Sequence, residues 1–154
     1  MAVTWYGADT FCAWRNARLP TELEWEYAGR GPDGLIYAWG NEFARGSVAD
    51  IFRDPIAVGS GPRDFSWVGA WDMTGNAMEW VSSISAPYPY DANDGRETPA
   101  SQDIHSARAF RSIGVDHGAS DITRLSGRGI ASPWGHDRSL GFRCARDFDE
   151  GDYQ

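Results

Sequence analysis

The sequence predicts an α+β domain of two short helices, small antiparallel sheets and long ordered loops. Three observations carry this reading. Eight Trp, eighteen Gly and eight Pro among 154 residues combine large flat side chains with turn formers, as expected of short elements joined by well-tied loops. Apolar spacings of three and four residues are confined to the first thirty positions. Alternating stretches occur only late and briefly.

The first helix is predicted in "TWYGADTFCAWRNA" (4–17), where Trp5, Tyr6, Phe11, Cys12 and Trp14 have amphipathic spacing. The second is predicted in "RLPTELEWEYAGRG" (18–31). Thr21 followed by Glu24 is a capping-box pattern, with Pro20 just before it. Glu22, Glu24 and Glu26 suit the positive end of the helix dipole. Leu23, Trp25, Tyr27 and Ala28 supply apolar surface, and Gly29 and Gly31 are read as ending the helix. Beyond residue 31 the periodicity dissolves into Gly- and Pro-rich sequence, with "AMEWVSS" a scrap of alternation. Residues 85–101 are polar and read as an exposed loop. "ARAFRSIGV" (107–115) and "LGFRCARDF" (140–148) are predicted strands. The length suits one core-bearing domain, taken as residues 1–148, with 149–154 a tail.

Net charge is −8 with a pI near 4.7, and no basic patch is visible, which argues against nucleic-acid partners. All fourteen basic residues are Arg, suited to bidentate carboxylate pairs and to stacking on Trp and Tyr. They are expected to staple loops together. No apolar run approaches the roughly 20 residues of a membrane span, so no membrane insertion is expected. "MAVTWYGADTF" lacks the basic and apolar regions of a secretion signal, and the compartment stays open. Cys12 and Cys144 are too few for a zinc site without His and lack CxxC spacing. They read either as two buried thiols or as one disulfide, worth about 4–5 kcal/mol in the chain-entropy model.

"RLPTELEWEYAGRG", "YAWGNEF", "VADIF", "WDMTGNAMEWVSS" and "SPWGHDRSLGFRCAR" occur in the order seen in the sulfatase-modifying-factor family. That family includes the formylglycine-generating enzymes, and the resemblance implies a C-type-lectin-like fold. It covers about residues 2–146 and resembles the C-terminal portion, or a minimal version, of the family domain. Members include cysteine oxidases, ergothioneine-type sulfoxide synthases and non-enzymatic ligand-binding proteins. Among the last are the variable proteins of diversity-generating retroelements, whose diversified positions precede the closing "GFR" strand.

Counting back from Cys144, the resemblance puts the two reactive cysteines of the oxidases at Val115 and Ser120. Neither can supply the thiolate that copper capture and thiol oxidation need. Where most relatives read "RGGSW", this chain reads "RSIGV" (111–115). The sulfoxide synthases need a His-rich helical domain for which this sequence has no room. The resemblance therefore implies no catalytic residues and a ligand-binding protein of the retroelement type. Its binding face is expected at Ile113, Val115, Asp116, His117, Asp121, Ile122, Leu125, Gly127, Trp134, His136 and Asp137. Residues 112–139 lack Lys, Glu, Gln and Met, the palette left by randomising adenines in AAY codons, which also excludes Trp134 from variation. Arg124, Ser132, Pro133, Leu140, Gly141, Phe142 and Arg143 match the family framework. The expected partner is a protein or glycan on a cell surface. The alternatives are a formylglycine-generating-enzyme-like or other metal-dependent oxidoreductase using a different site, and a structural subunit whose face is an oligomer interface.

The resemblance also implies a structural Ca2+ held by the Asp72 and Glu79 carboxylates and the Gly75 and Ala77 carbonyls. The alternative is a loop held by hydrogen bonds from Asp72 and Asn76. A second calcium site would involve Asp50 and Ile51. No organic cofactor is implied. Asp116–His117 and His136–Asp137 would form a two-His, two-carboxylate metal site if their loops met, against the plainer reading of exposed ligand contacts. A Ser120–His117–Asp116 triad is disfavoured, because near neighbours seldom align such a chain of hydrogen bonds and no GxSxG is present. Cys12 and Cys144 match a pair that forms a disulfide in some secreted relatives. Trp5, Trp14, Trp25, Trp39, Trp71 and Trp80 are expected as core and loop anchors, and Trp134 as either a face or a core residue.

Overall fold

A computed structural model describes residues 1–44, 55–61, 63–99, 103–112 and 124–147. The elements run α1 (Trp5–Trp14), α2 (Glu22–Arg30), β1 (Met78–Ile84), β2 (Arg108–Arg111), β3 (Arg128–Ala131) and β4 (Leu140–Phe142). Thr4 caps α1 by accepting from Gly7 N at 3.1 Å. Trp5, Ala8 and Cys12 form its buried face. The predicted capping box opens α2: Thr21 Oγ1 accepts from Glu24 N, and Glu24 Oε2 accepts from Thr21 N. Gly31 ends α2 at φ 66°. Gly29 does not. It lies inside the helix because a Cβ there would stand 2.8 Å from Leu125 Cδ2.

The strands form one sheet in the order β3-β2-β1-β4. Pairings β1–β2 and β2–β3 are antiparallel, while β1–β4 is parallel. The sheet is thus mixed rather than wholly antiparallel. Residues 132–139 account for this. They carry the chain from Ala131, paired with Arg108, back to Leu140, paired with Met78 at the other end of the sheet. Arg128, Arg111, Glu79 and Gly141 consequently form one row across all four strands.

Consecutive strand residues face opposite sides, and both sides of β1 are covered. Trp80 packs with Trp5, Ala8, Cys12, Leu19 and Leu140 beneath α1. Val81 packs with Trp25, Ala38, Met73, Ala109 and Leu125 beneath α2. Cys12 and Cys144 form a disulfide with Cα atoms 5.5 Å apart, joining α1 to the residues after β4. Among the described residues, no helix is long and apolar enough to cross a membrane.

Two expectations need correction. Trp14 is 74% exposed and Trp71 43%. Neither is a core anchor, because Trp14 follows the buried stripe of α1 out of phase. Over residues 85–99 the loop is largely exposed, as expected, but it is tied down through Arg96 and Glu97. Arg96 is buried against Asp94, donates to Pro87 O at 2.8 Å and lies over the Tyr90 ring at 4.5 Å. Glu97 accepts from Ser82, Ser83 and Tyr90.

Candidate functional site

The excursion between β2 and β3 leaves the sheet at Arg111–Ser112 and returns at Arg124–Gly127. A buried ionic network clamps its base. Arg111 Nη2 meets Glu26 Oε2 at 2.7 Å, Glu22 Oε1 at 3.1 Å and the Tyr88 hydroxyl at 2.8 Å. Its Nη1 donates to Leu125 O and Gly127 O, both at 3.4 Å. Opposite it, Arg128 reaches Glu22 through Nε at 2.6 Å and Nη2 at 3.0 Å. Arg128 also lies over the Tyr88 ring at 5.0 Å. Two guanidiniums thus face two α2 carboxylates, the pairing that makes buried charge tolerable. Burial pushes the Glu26 carboxyl up, but Arg111 and Arg30 outweigh burial and hold it below the usual range. The all-arginine composition signalled such staples.

Ser112 turns the chain out of β2 in the left-handed region, at φ 62°, and its hydroxyl donates to Gly75 O at 3.2 Å. Ile113, Val115, Asp116, His117, Ser120, Asp121 and Ile122 lie outside the described residues, as do Asp50 and Ile51. Leu125 was expected on the binding face. It is instead 1% exposed, packed with Trp25 and Met73, and its N–H donates to Ile36 O at 2.9 Å. It anchors the loop from below. Gly127 is half-buried, and its N–H donates to Arg124 O at 2.7 Å.

Trp134 is 59% exposed, its ring centroid 4.5 Å from that of Tyr6. His136 and Asp137 are exposed. Hydrogen bonds from the Ser139 hydroxyl and N–H hold the Asp137 carboxyl below its usual range, so Asp137 shapes the turn into β4. Gly127 precedes β3 and Asp137 precedes β4, the two edge strands of the sheet. Among the described residues no three His, Cys, Asp or Glu side chains are grouped to hold a metal ion.

The loop 71–77, with the start of β1, lies beside the base of the excursion. Asp72 and Asn76 both adopt positive φ. Asp72 Oδ2 accepts from Gly59 N at 3.0 Å and from Asn76 Nδ2 at 3.2 Å, and Asn76 Oδ1 accepts from Ile56 N at 3.0 Å. Asp64 accepts from Thr74 N through both oxygens. The predicted calcium ligands do not fit an ion as they stand, since calcium takes roughly six to eight oxygens. The Gly75 carbonyl already accepts from Ala77 N and Ser112 Oγ. Glu79 is engaged by Trp25 Nε1 and by Arg143 Nε and Nη2. Asp72 Oδ1 is buried without a partner among the described residues. The hydrogen-bonded alternative describes the observed contacts.

The sulfatase-modifying factor enzyme 1-like domain family matches residues 1–148. The chain belongs to this family. It is 34% identical over 158 residues to the inactive C-alpha-formylglycine-generating enzyme 2 of Mus musculus, covering 93% of this chain and 47% of that protein. It therefore spans about half the length of that relative. Among solved structures, PvdO from Pseudomonas aeruginosa superposes with a TM-score of 0.72 at 22% identity, covering 96% of this chain and 61% of that one. The Treponema denticola variable protein 1 superposes with a TM-score of 0.58 at 26% identity, over 81% of this chain and 45% of that one. The expected formylglycine-generating-enzyme type of α+β fold is thus found. The sequence has only two cysteines. Both are in the disulfide, and no free thiol remains.

Proposed function

We propose that this domain is a non-catalytic binding module displaying the excursion between Ser112 and Arg124 on a rigid base. The observation that carries it is the fate of sulfur. Both cysteines form the disulfide between α1 and the end of the sheet, and the family resemblance puts Val115 and Ser120 at the positions of the oxidases' two thiols. Thiol-based oxygen chemistry has no ligand to start from. The similarity to a formylglycine-generating enzyme named inactive and to a variable protein supports this reading.

The display reading rests on the clamp. Arg111, Arg128, Glu22 and Glu26 fix both ends of the excursion, so side chains between them change without disturbing the base. A preorganised base lowers the ordering cost of binding. The partner on this reading is a protein or glycan surface, by analogy with the retroelement variable proteins.

The test is sequencing of this coding region across a growing population of the source organism, together with the flanking DNA. Substitutions concentrated at codons 113–123, beside a reverse transcriptase and a near-copy differing at adenines, are expected. Substitutions spread evenly along the gene would remove the display reading. Conversion of a peptide cysteine to an aldehyde by the purified protein would remove the non-catalytic one.

A further inference from the structure

Trp39, Phe65 and Trp67 wall a cleft of about 460 Å³, with Leu35 and Ala38 also lining it and Arg63 and Ser66 as its polar members. None of these residues belongs to the 112–139 segment. We propose that this cleft binds a small planar aromatic acid.

The walls are set before any ligand arrives. Trp39 stacks on Tyr37 with centroids 5.2 Å apart and planes 5° apart, and its Nε1 donates to Glu42 O at 2.9 Å. Trp67 stands edge-on to Tyr27 at 5.4 Å, and its Nε1 donates to Tyr27 O at 3.0 Å. Phe65 leans on Trp71 at 5.2 Å. Both indole N–H groups are therefore already used, and ring surface remains. Phe65 is 49% exposed and Trp67 50%, so much apolar area is held open. Gly31 makes room for Trp67, since a Cβ there would lie 3.0 Å from its Cδ1. Apolar walls with a few placed polar groups are the usual chemistry of a small-molecule pocket.

The two polar members select the ligand. Ser66 Oγ is buried and has no hydrogen-bond partner among the described residues. The Ser66 backbone is spent in a turn, its N–H on Ala70 O and its carbonyl on Gly69 N, both at 2.8 Å. The hydroxyl alone is left over. Arg63 is exposed, and no described carboxylate pairs with it. In a chain of net charge −8, a lone guanidinium at an aromatic cleft repels ammonium groups and offers two parallel hydrogen bonds to a carboxylate. A sugar, rich in hydroxyls, would meet only two polar side chains here. A flat ring with one acidic group matches the aromatic walls and the exposed Arg63 guanidinium.

The test uses indole-3-acetate, tryptamine and glucuronate on the full chain, with saturable binding followed by calorimetry and ligand-observed NMR. Indole-3-acetate is expected to bind. Tryptamine and glucuronate are each expected to bind at least about tenfold more weakly, a difference of roughly 1.4 kcal/mol. Trp67→Ala is expected to abolish binding. Because that ring also packs on Tyr27, the exposed Arg63→Gln provides the second variant, expected to weaken indole-3-acetate about tenfold while the fold persists by circular dichroism. Absence of saturable indole-3-acetate binding, tryptamine binding of equal strength, or an unchanged affinity in Arg63→Gln would each overturn the proposal. None of these outcomes bears on the display reading.

Discussion

Arg143, just past β4, closes a two-point pair with Glu79 of β1: Nη2 lies 2.8 Å from Oε1, and Nε binds Oε2. The same Nη2 donates to Trp71 O at 3.0 Å, and Trp25 Nε1 donates to Glu79 Oε2 at 2.7 Å. One carboxylate thus ties α2, β1, loop 71–77 and the chain after β4.

Removing that carboxylate charge strands a mostly buried guanidinium. Glu79→Gln is expected to cost about 3 kcal/mol, read as a lower urea midpoint with an unchanged slope. Because Arg143 supplies the positive charge, adding calcium to the wild-type chain is expected to leave its thermal midpoint within about one degree. A saturable rise of several degrees would assign the unpartnered Asp72 Oδ1 to a bound ion, since a ligand of the folded state stabilises it by mass action.

Gly29 illustrates a conflict between local propensity and packing. On an isolated helix Gly→Ala gains about 1 kcal/mol. Here the new methyl would stand 2.8 Å from Leu125 Cδ2 and 3.3 Å from Met73 Cε, in a close-packed core where overfilling costs about 1–3 kcal/mol. Gly29→Ala is expected to destabilise by about 1 kcal/mol. Pairing it with Leu125→Val should recover part of that loss, giving a favourable coupling in a double-mutant cycle. Additive effects would mean the two residues do not share the space.

That pair also marks what the sequence could reveal. Helix α2 was legible because its capping box is local. Gly29 was misread as a stop because Leu125 is remote in sequence. Strand β1 showed only as a scrap because residues 79–81 are buried in succession, as in a strand covered on both faces, so alternation is lost. The disulfide partners were legible through resemblance, since spacing alone left two readings. The expected binding face was drawn as one surface because its residues share a stretch of sequence. Leu125 instead turns inward, which spacing alone did not reveal. The aromatic cleft was missed because its members look like ordinary loop anchors until exposure and an orphaned Ser66 hydroxyl are seen together.

The Cys12–Cys144 bond spans a sequence separation of 132 residues, for which chain entropy gives about 5 kcal/mol, with measured losses of about 2–5. Both ends sit in elements packed on the core, α1 against Trp80 and the post-β4 segment against Arg18, where Ala145 forms a bridge. Reduction, or Cys12→Ser with Cys144→Ser, is expected to lower the thermal midpoint by about 4–20 degrees. Scanning calorimetry with and without reductant measures this. An unchanged midpoint would mean that the packed ends alone hold the termini.

Asp64 gives the fold a pH dependence of unusual sign for a carboxylate. Burial pushes its carboxyl up to about 6 despite the Thr74 hydrogen bonds, and the neighbouring Asp72 adds to the rise. The unfolded chain releases this proton near 3.8. Between the two values the folded state holds a proton that the unfolded state has lost, so stability falls as pH rises through that window. From pH 5 to pH 7 the loss from this group is about 1 kcal/mol. Glu24 and Glu26 act oppositely, since Arg18 and Arg111 with Arg30 hold them below their ordinary 4.5. Their contribution fades only as pH falls below that value and does not mask Asp64. Asp64→Asn is therefore expected to lack this part of the slope. Urea unfolding of both proteins at pH 5, 6 and 7 isolates it as a difference, and parallel profiles would show that Asp64 is ionised in the folded state throughout.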